Sequence, residues 1–213
     1  MKSKLYLIRH GQSTYNLENR FTGWKDVDLT DLGVSQAKEA SRLLDGHHFD
    51  LAFTSDLMRA QKTLDIILDG LGINLEIIKS EALNERDYGD LVSQNKEEAA
   101  EKFGKDQVQI WRRSFDTPPP GGESLKMTLD RTLPYFNSVI KPHLIGGNNI
   151  ILSAHGNSIR SIIMELFNYN SEQILKTEVG WCEPLVYTFN DNFEVTNFNL
   201  MTRPSEPSKG HFP

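Results

Sequence analysis

One cysteine, Cys182, stands alone among 213 residues, which excludes an internal disulfide framework and any site built on paired thiolates. It is expected to be a packed or loop thiol. Neither His-x-His nor His-Glu-x-x-His occurs, so the spacing of a metal-dependent hydrolase is missing and no metal is expected. Basic residues are outnumbered, 23 Lys+Arg against 29 Asp+Glu for a formal charge of -6. That balance excludes a global cationic field able to recruit nucleic acid or an anionic membrane. Any anionic ligand must be held by a local cluster. Long hydrophobic runs are also absent. The apolar stretch after Lys4 lasts four residues before Arg9 interrupts it, too short for a secretory signal, and no stretch approaches a membrane span. A soluble, cytoplasmic chain is expected.

What is present is an alternation of short apolar runs and amphipathic stretches. Leu5 to Ile8, Leu51 to Thr54, Leu75 to Ile78 and Ile150 to Ala154 read as buried strands. Helices are expected from Thr30, as N-cap, through Leu44, from Ser55-Asp56 through Leu68, from Ser124 to Ile140 and from Ser158 to Phe167. Pro184–Phe189 and Glu194–Phe198 read as a terminal antiparallel pair. This order predicts an α/β fold: an open, mostly parallel sheet with helices on both faces. Residues 1–202 are expected to form one catalytic domain and 203–213 a polar, proline-bearing mobile tail without fixed secondary structure. Residues 80–124 form a polar segment too long for an ordinary connection, interrupted by helical patterns at Glu97–Phe103 and Val108–Arg113. It is expected to cover a site.

Two triplets carry the chemistry. Arg9-His10-Gly11 and His155-Gly156-Asn157 each follow a strand directly, at the strand ends where open α/β sheets bind ligands. A neutral imidazole is a nucleophile toward phosphorus, and the phosphoramidate it forms can pass its phosphoryl group onward. His10 is the expected carrier. Gly11 permits close approach of backbone to phosphate, and Arg9, Arg59 and His155 can hold the phosphoryl oxygens without a metal. A lone histidine after a strand is more often structural; two in this context, with Arg59 opening a helix nearby, favour a site. His47, His48, His143 and His211 lack that context and read as surface or loop residues. Glu85, within Asn84-Glu85-Arg86-Asp87-Tyr88-Gly89, is the candidate proton donor and acceptor.

Taken jointly, Leu7 to Ser13, Asn16, Arg20 to Trp24, Asp28-Leu29-Thr30, Leu83 to Gly89, Asn95-Lys96, Trp111-Arg112-Arg113 and Ala154 to Ser158 resemble the cofactor-dependent phosphoglycerate mutases of the histidine phosphatase superfamily. The resemblance runs from about residue 3 to residue 190. The Arg-His-Gly triplet alone implies only the superfamily; the Phe-Thr-Gly-Trp and Asn-Glu-Arg-x-Tyr-Gly blocks narrow it. The resemblance implies interconversion of 2-phosphoglycerate and 3-phosphoglycerate through a phosphohistidine, with 2,3-bisphosphoglycerate as priming donor and intermediate. By the same resemblance His10 is the nucleophile, Glu85 the acid/base, and Arg9, Arg59 and His155 the holders of the transferring group. Asn16, Gly156 and Asn157 would complete the phosphate pocket. Ser13, Thr22, Gly23, Arg86, Tyr88, Lys96, Arg112 and Arg113 would bind the rest of the glycerate. A mutase must hold a bisphosphate while it turns around, so it needs two anion sites where a phosphatase needs one.

Three stretches depart from the family pattern. Phe115–Ser124 is compact where longer relatives carry an insertion that contributes to subunit contacts, which leaves monomer and homodimer both open. Leu91-Val92-Ser93-Gln94 replaces a stretch that more often holds a glycine. Glu178 to Glu183 replaces a Pro-Thr-Gly-type loop before Pro184. The alternatives carried forward are a histidine-type phosphatase of small phosphorylated metabolites, a non-catalytic phospholigand-binding module and, ranked lowest, a metal-dependent phosphohydrolase.

Overall fold

The computed structural model describes residues 2–213. Six strands form one sheet in the order β3-β2-β4-β1-β5-β6: β1 (Ser3–Arg9), β2 (Leu51–Thr54), β3 (Ile77–Lys79), β4 (Ile150–Ala154), β5 (Leu185–Phe189) and β6 (Val195–Leu200). The first four run parallel, while β5 lies antiparallel to β1, and β6 to β5. The expected mostly parallel sheet with a terminal antiparallel pair is therefore observed.

Strand alternation feeds two cores. Leu5, Leu7, Ile150 and Leu152 point into one, against Phe136, Ile140, Ile159 and Ile162. Tyr6, Ile8 and Ile151 point into the other, against Ala37, Ala40, Leu64 and Ile67. The second set lies on α2 (Asp31–Leu43) and α3 (Met58–Leu71), the first on α8 (Gly156–Leu166) and on the π-helical turn Phe136–Ile140 between α6 (Leu125–Tyr135) and α7 (Lys141–Ile145). Each such side chain contributes roughly 1.5–3 kcal/mol on burial, which is why near-continuous apolar strands lie at the centre of the sheet. Among the described residues no helix is long and apolar enough to cross a membrane.

Several boundaries differ from expectation for local reasons. The third strand covers Ile77–Lys79 because only Ala52–Thr54 offer it partners. The helix expected to run from Ser124 to Ile140 widens at Phe136–Ile140 into that π-helical turn. Pro134 and Pro142 flank the turn, each lacking an N–H and crowding the carbonyl four residues back. The segment from 80 to 124 carries two 3-10 turns, Glu81–Leu83 and Gly89–Leu91, and the helices α4 (Lys96–Phe103) and α5 (Lys105–Arg113). Thr14–Leu17 (α1) and Ser171–Lys176 (α9) are short helices that the periodicity does not reveal.

The tail is the main correction. It lacks regular secondary structure apart from one bridge between His211 and Glu178, yet it is tied down. The buried Glu183 carboxylate accepts from the Ser208 hydroxyl and from the Lys209 and Gly210 N–H groups, at 3.0–3.1 Å. A carboxylate buried to this extent needs such donors, and the tail supplies them. His211 is exposed and lies in the tail, and its backbone pairs with that of Glu178.

The loop after β1 is clamped by the first turn of α2. Thr30 caps that helix through the Gly33 N–H, and its own N–H donates to the Gln12 carbonyl. A β-carbon at Gly33 would lie 2.2 Å from the Gln12 oxygen, and one at Gly11 2.4 Å from the Gly33 oxygen. Gly33→Ala is therefore expected to lower stability by about 1–3 kcal/mol through forced separation of these backbones. Urea unfolding measures it; a midpoint equal to that of the parent protein would show that the contact yields freely.

Candidate active site

Parallel pairing of β1 with β4 sets Arg9 opposite Ala154, so His10 and His155 leave the sheet side by side. The His10 N–H donates to the Ala154 carbonyl at 3.0 Å, and the two rings lie 5.0 Å apart. Both histidines are buried. His10 Nδ1 lies 2.7 Å from the Gly11 carbonyl, which can only accept, so Nδ1 carries the proton and Nε2 the lone pair. Arg59 Nε donates to that Nε2 at 3.3 Å. Burial, then Arg59 and Arg9, push the His10 imidazole well below its ordinary range, partly opposed by the Gly11 bond. It is held neutral with one nitrogen available.

His155 differs in its partners. Its Nε2 lies 2.7 Å from the Ser55 hydroxyl, which also accepts from the Leu57 N–H. Its Nδ1 is buried without a hydrogen-bond partner. His155 is also the N-cap of α8, where helix N–H groups favour negative charge. Burial is the largest cause of its lowered pKa, followed by Arg59 and His10.

The guanidiniums are fixed from behind. Arg59 donates to the carbonyls of Lys25 and Gly23 at 3.1 and 2.9 Å, and burial brings it down to about 10. Arg9 donates to the Val179 carbonyl at 2.8 Å and lies over the Trp181 ring; its buried Nε is unpartnered. Gly11 N–H donates to Thr63, which locks the loop onto α3. Cys182 is packed, as expected; its N–H donates to the Arg9 carbonyl, and burial pushes its thiol up to about 12.

Glu85 lies between the two 3-10 turns. Its Oε1 accepts from the Arg86 N–H at 2.8 Å, the Asn157 N–H at 3.1 Å and the Asn157 side-chain amide at 2.9 Å. The second oxygen, Oε2, would lie 3.8 Å from a β-carbon at Gly156, as would Arg9 Cζ. The absence of a side chain at Gly156 thus keeps open the space between carboxylate and guanidinium. Arg131 braces this loop: it donates to the carbonyls of Ala82, Asn84 and Glu85 and pairs with Glu123, which in turn accepts from the Asp87 N–H.

A cavity of about 170 Å³ opens beside this group. Asn16, Thr22, Gly23, Tyr88, Lys96, Arg112, Arg113, Gly156 and Asn157 line it, together with Arg9 and Glu85. His10, Arg59 and His155 sit beneath, outside the lining. Two expected ligand residues lie elsewhere. Ser13 is buried, caps α1 and donates its hydroxyl to Asn16. Arg86 is buried behind Tyr88 and donates to the Tyr88 hydroxyl and to the Arg112 carbonyl. Both support lining residues rather than face the cavity. Lys96 is brought below its ordinary range by burial and by Arg112, Arg9 and Arg113, a measure of how crowded the cations are. Arg20, Phe21, Arg160, Glu178 and Val179 also line the cavity without having been singled out. Arg20 and Phe21 lie in a quoted sequence block, but nothing in the local sequence signals Arg160 or Glu178.

The model of the histidine phosphatase superfamily (branch 1) matches residues 5–199. A Nitrobacter hamburgensis protein named 2,3-bisphosphoglycerate-dependent phosphoglycerate mutase is 54% identical over 91% of this chain and 95% of its own length. One of the same name from Parvibaculum lavamentivorans is 51% identical over 94% and 97%. Among solved structures, a mycobacterial glucosyl-3-phosphoglycerate phosphatase in complex with VO3 superposes with a TM-score of 0.80 at 25% identity, covering 94% of this chain and 98% of that one. The buried histidine pair at adjacent strand ends and the family match over most of its length agree: this chain belongs to branch 1 of the histidine phosphatase superfamily.

Proposed function

We propose that this protein is a 2,3-bisphosphoglycerate-dependent phosphoglycerate mutase, an isomerase that interconverts 2-phosphoglycerate and 3-phosphoglycerate. The observation that carries the reading is the pairing of a neutral, buried His10 with a cavity whose cations outnumber its carboxylates six to two, Arg9, Arg20, Lys96, Arg112, Arg113 and Arg160 against Glu85 and Glu178. Hydrolysis of one phosphate ester needs a single anion site. A second cluster on α4 and α5 suits a ligand with two anionic ends, and the relatives above half identity carry the mutase name. The phosphatase reading has no comparable support.

In this reading His10 Nε2 attacks phosphorus, the N–P bond forming as the O–P bond to the glycerate breaks. Glu85 delivers a proton to the departing oxygen and takes one from the glycerate hydroxyl when the transfer reverses onto the other position. Arg9, Arg59, His155 and the N-terminus of α8 stabilise charge on the transferring oxygens. Asn157 holds Glu85 in place through Oε1, leaving Oε2 for the proton. Thr22, Gly23, Tyr88, Lys96, Arg112 and Arg113 bind the distal end, and Asn16 the transferring phosphate, with Ser13 and Arg86 acting through Asn16, Tyr88 and the Arg112 backbone. 2,3-Bisphosphoglycerate supplies the phosphoryl group that loads His10; the unpartnered Arg9 Nε and His155 Nδ1 fit such a polyanion. Residues 1–202 act as one catalytic domain with residues 80–124 as its cover.

Incubation of 3-phosphoglycerate with a trace of 2,3-bisphosphoglycerate is expected to yield 2-phosphoglycerate; inorganic phosphate as the main product would overturn the assignment. His10→Ala should lower kcat at least about 10³-fold and abolish phosphoenzyme. Glu85→Gln should lower kcat by about 10²–10⁴ with little change in ligand affinity.

The two histidines also set a pH limit. Both have folded values below their ordinary 6.5. Above that value folded and unfolded chains are alike neutral; below it the unfolded chain takes up protons that the folded one refuses, so stability falls as pH drops. The thermal midpoint is expected to decline from pH 6.5 toward 5, and less steeply in His155→Gln. Equal slopes in both proteins would contradict this origin.

A further inference from the structure

Glu178 has no part in the chemistry above, yet it holds two of the cavity's cations. Its Oε1 accepts from Arg113 Nη1 at 2.7 Å and its Oε2 from Arg160 Nη2 at 3.0 Å. One carboxylate thus spans a cation on the cover helix α5 and a cation on the core helix α8. Arg160 donates further to Asn157 Oδ1 at 3.3 Å, and Asn157 holds Glu85. A continuous chain of hydrogen bonds therefore runs from the candidate acid/base to the cover.

The backbone of Glu178 is fixed by the docked tail. Its N–H donates to the His211 carbonyl at 2.8 Å and its carbonyl accepts from the His211 N–H at 2.9 Å, so the docked tail sets where the carboxylate starts. The side chain itself is 42% exposed, as is that of Arg113, so this pair is within reach of a ligand entering from solvent. Its planar oxygens, bridging two guanidiniums, take the geometry that the carboxylate or phosphate of a ligand would take.

We propose that Glu178 is an internal stand-in for the distal anion of a two-ended ligand, pairing Arg113 and Arg160 until the second anionic group of the glycerate displaces it. It is a specificity-determining residue: it tunes affinity for two-ended ligands against one-ended phosphate. The inference rests on the mutase reading, in which the ligand carries two anionic ends.

Titration calorimetry at fixed ionic strength, with 3-phosphoglycerate and with inorganic phosphate, compares the parent protein with Glu178→Gln. The parent exposed pair lies in the range of about 1 kcal/mol or less, so 3-phosphoglycerate is expected to bind Glu178→Gln about two- to fivefold tighter. Inorganic phosphate, needing only the pocket around His10, should change by less than about 1.5-fold. In an Arg113→Gln background the gain should fall to less than half, because one of the two contacts that compete with the ligand is already gone. Equal tightening of both ligands would reveal a general field effect and overturn the proposal. So would unchanged or weaker binding of 3-phosphoglycerate, loss of binding of either ligand, or a gain undiminished by Arg113→Gln. Failure of the mutase reading would show separately, as absence of isomerisation by the parent protein.

Discussion

The parallel pairing of β1 with β4 is the constraint on which the site depends. Five consecutive residue pairs, from Leu5 with Ile150 to Arg9 with Ala154, bring together two segments about 145 positions apart in the chain. The strands are apolar on both faces, so each is driven between two helical layers. A slip of one residue would turn the two cores inside out and carry His10 away from His155. The register is secured by hydrophobic burial, and the histidine pair inherits its geometry from that burial.

Concentrating cations in a chain of net negative charge is the second problem the structure solves. Arg9, Arg59 and Arg160 are brought below their ordinary range mainly by burial, and their guanidiniums donate to backbone carbonyls at Val179, Lys25, Gly23 and Thr177. Carbonyl dipoles offset the cost of burial without neutralising the charge, so the field remains available to an anion. The two carboxylates at the cavity serve opposite ends. Glu85 is clamped through one oxygen by three N–H groups, whereas Glu178 bridges two guanidiniums from a loop that the tail holds in place. It is to this loop, from Glu178 to Glu183, that the tail docks.

The fold was largely legible because its strands are short, apolar and regularly spaced between amphipathic helices. His10, His155, Arg9, Arg59 and Glu85 were legible for a related reason: each lies within a residue or a few of a strand or turn that the pattern reveals. The π-helical turn at Phe136–Ile140 was not, since it arises from two prolines acting on one helix. Ser13 and Arg86 read as ligand contacts because polar residues in a conserved-looking block carry no sign of which way they face. Their burial behind Asn16 and Tyr88 is a matter of side-chain direction. The tail read as mobile because its composition is polar and rich in proline, and its partner, Glu183, looks like any surface carboxylate in the sequence.

By itself, then, the sequence determined the α/β class, the strand-end position of both histidines and the superfamily, because these follow from periodicity and from motifs that are local in the chain. Only the tertiary structure decided which nitrogen of His10 carries its proton, which polar residues face the cavity and which stand behind it, and that Arg113, Arg160 and the tail meet at Glu178. These depend on side-chain direction and on contacts between separate elements, and no local pattern records them.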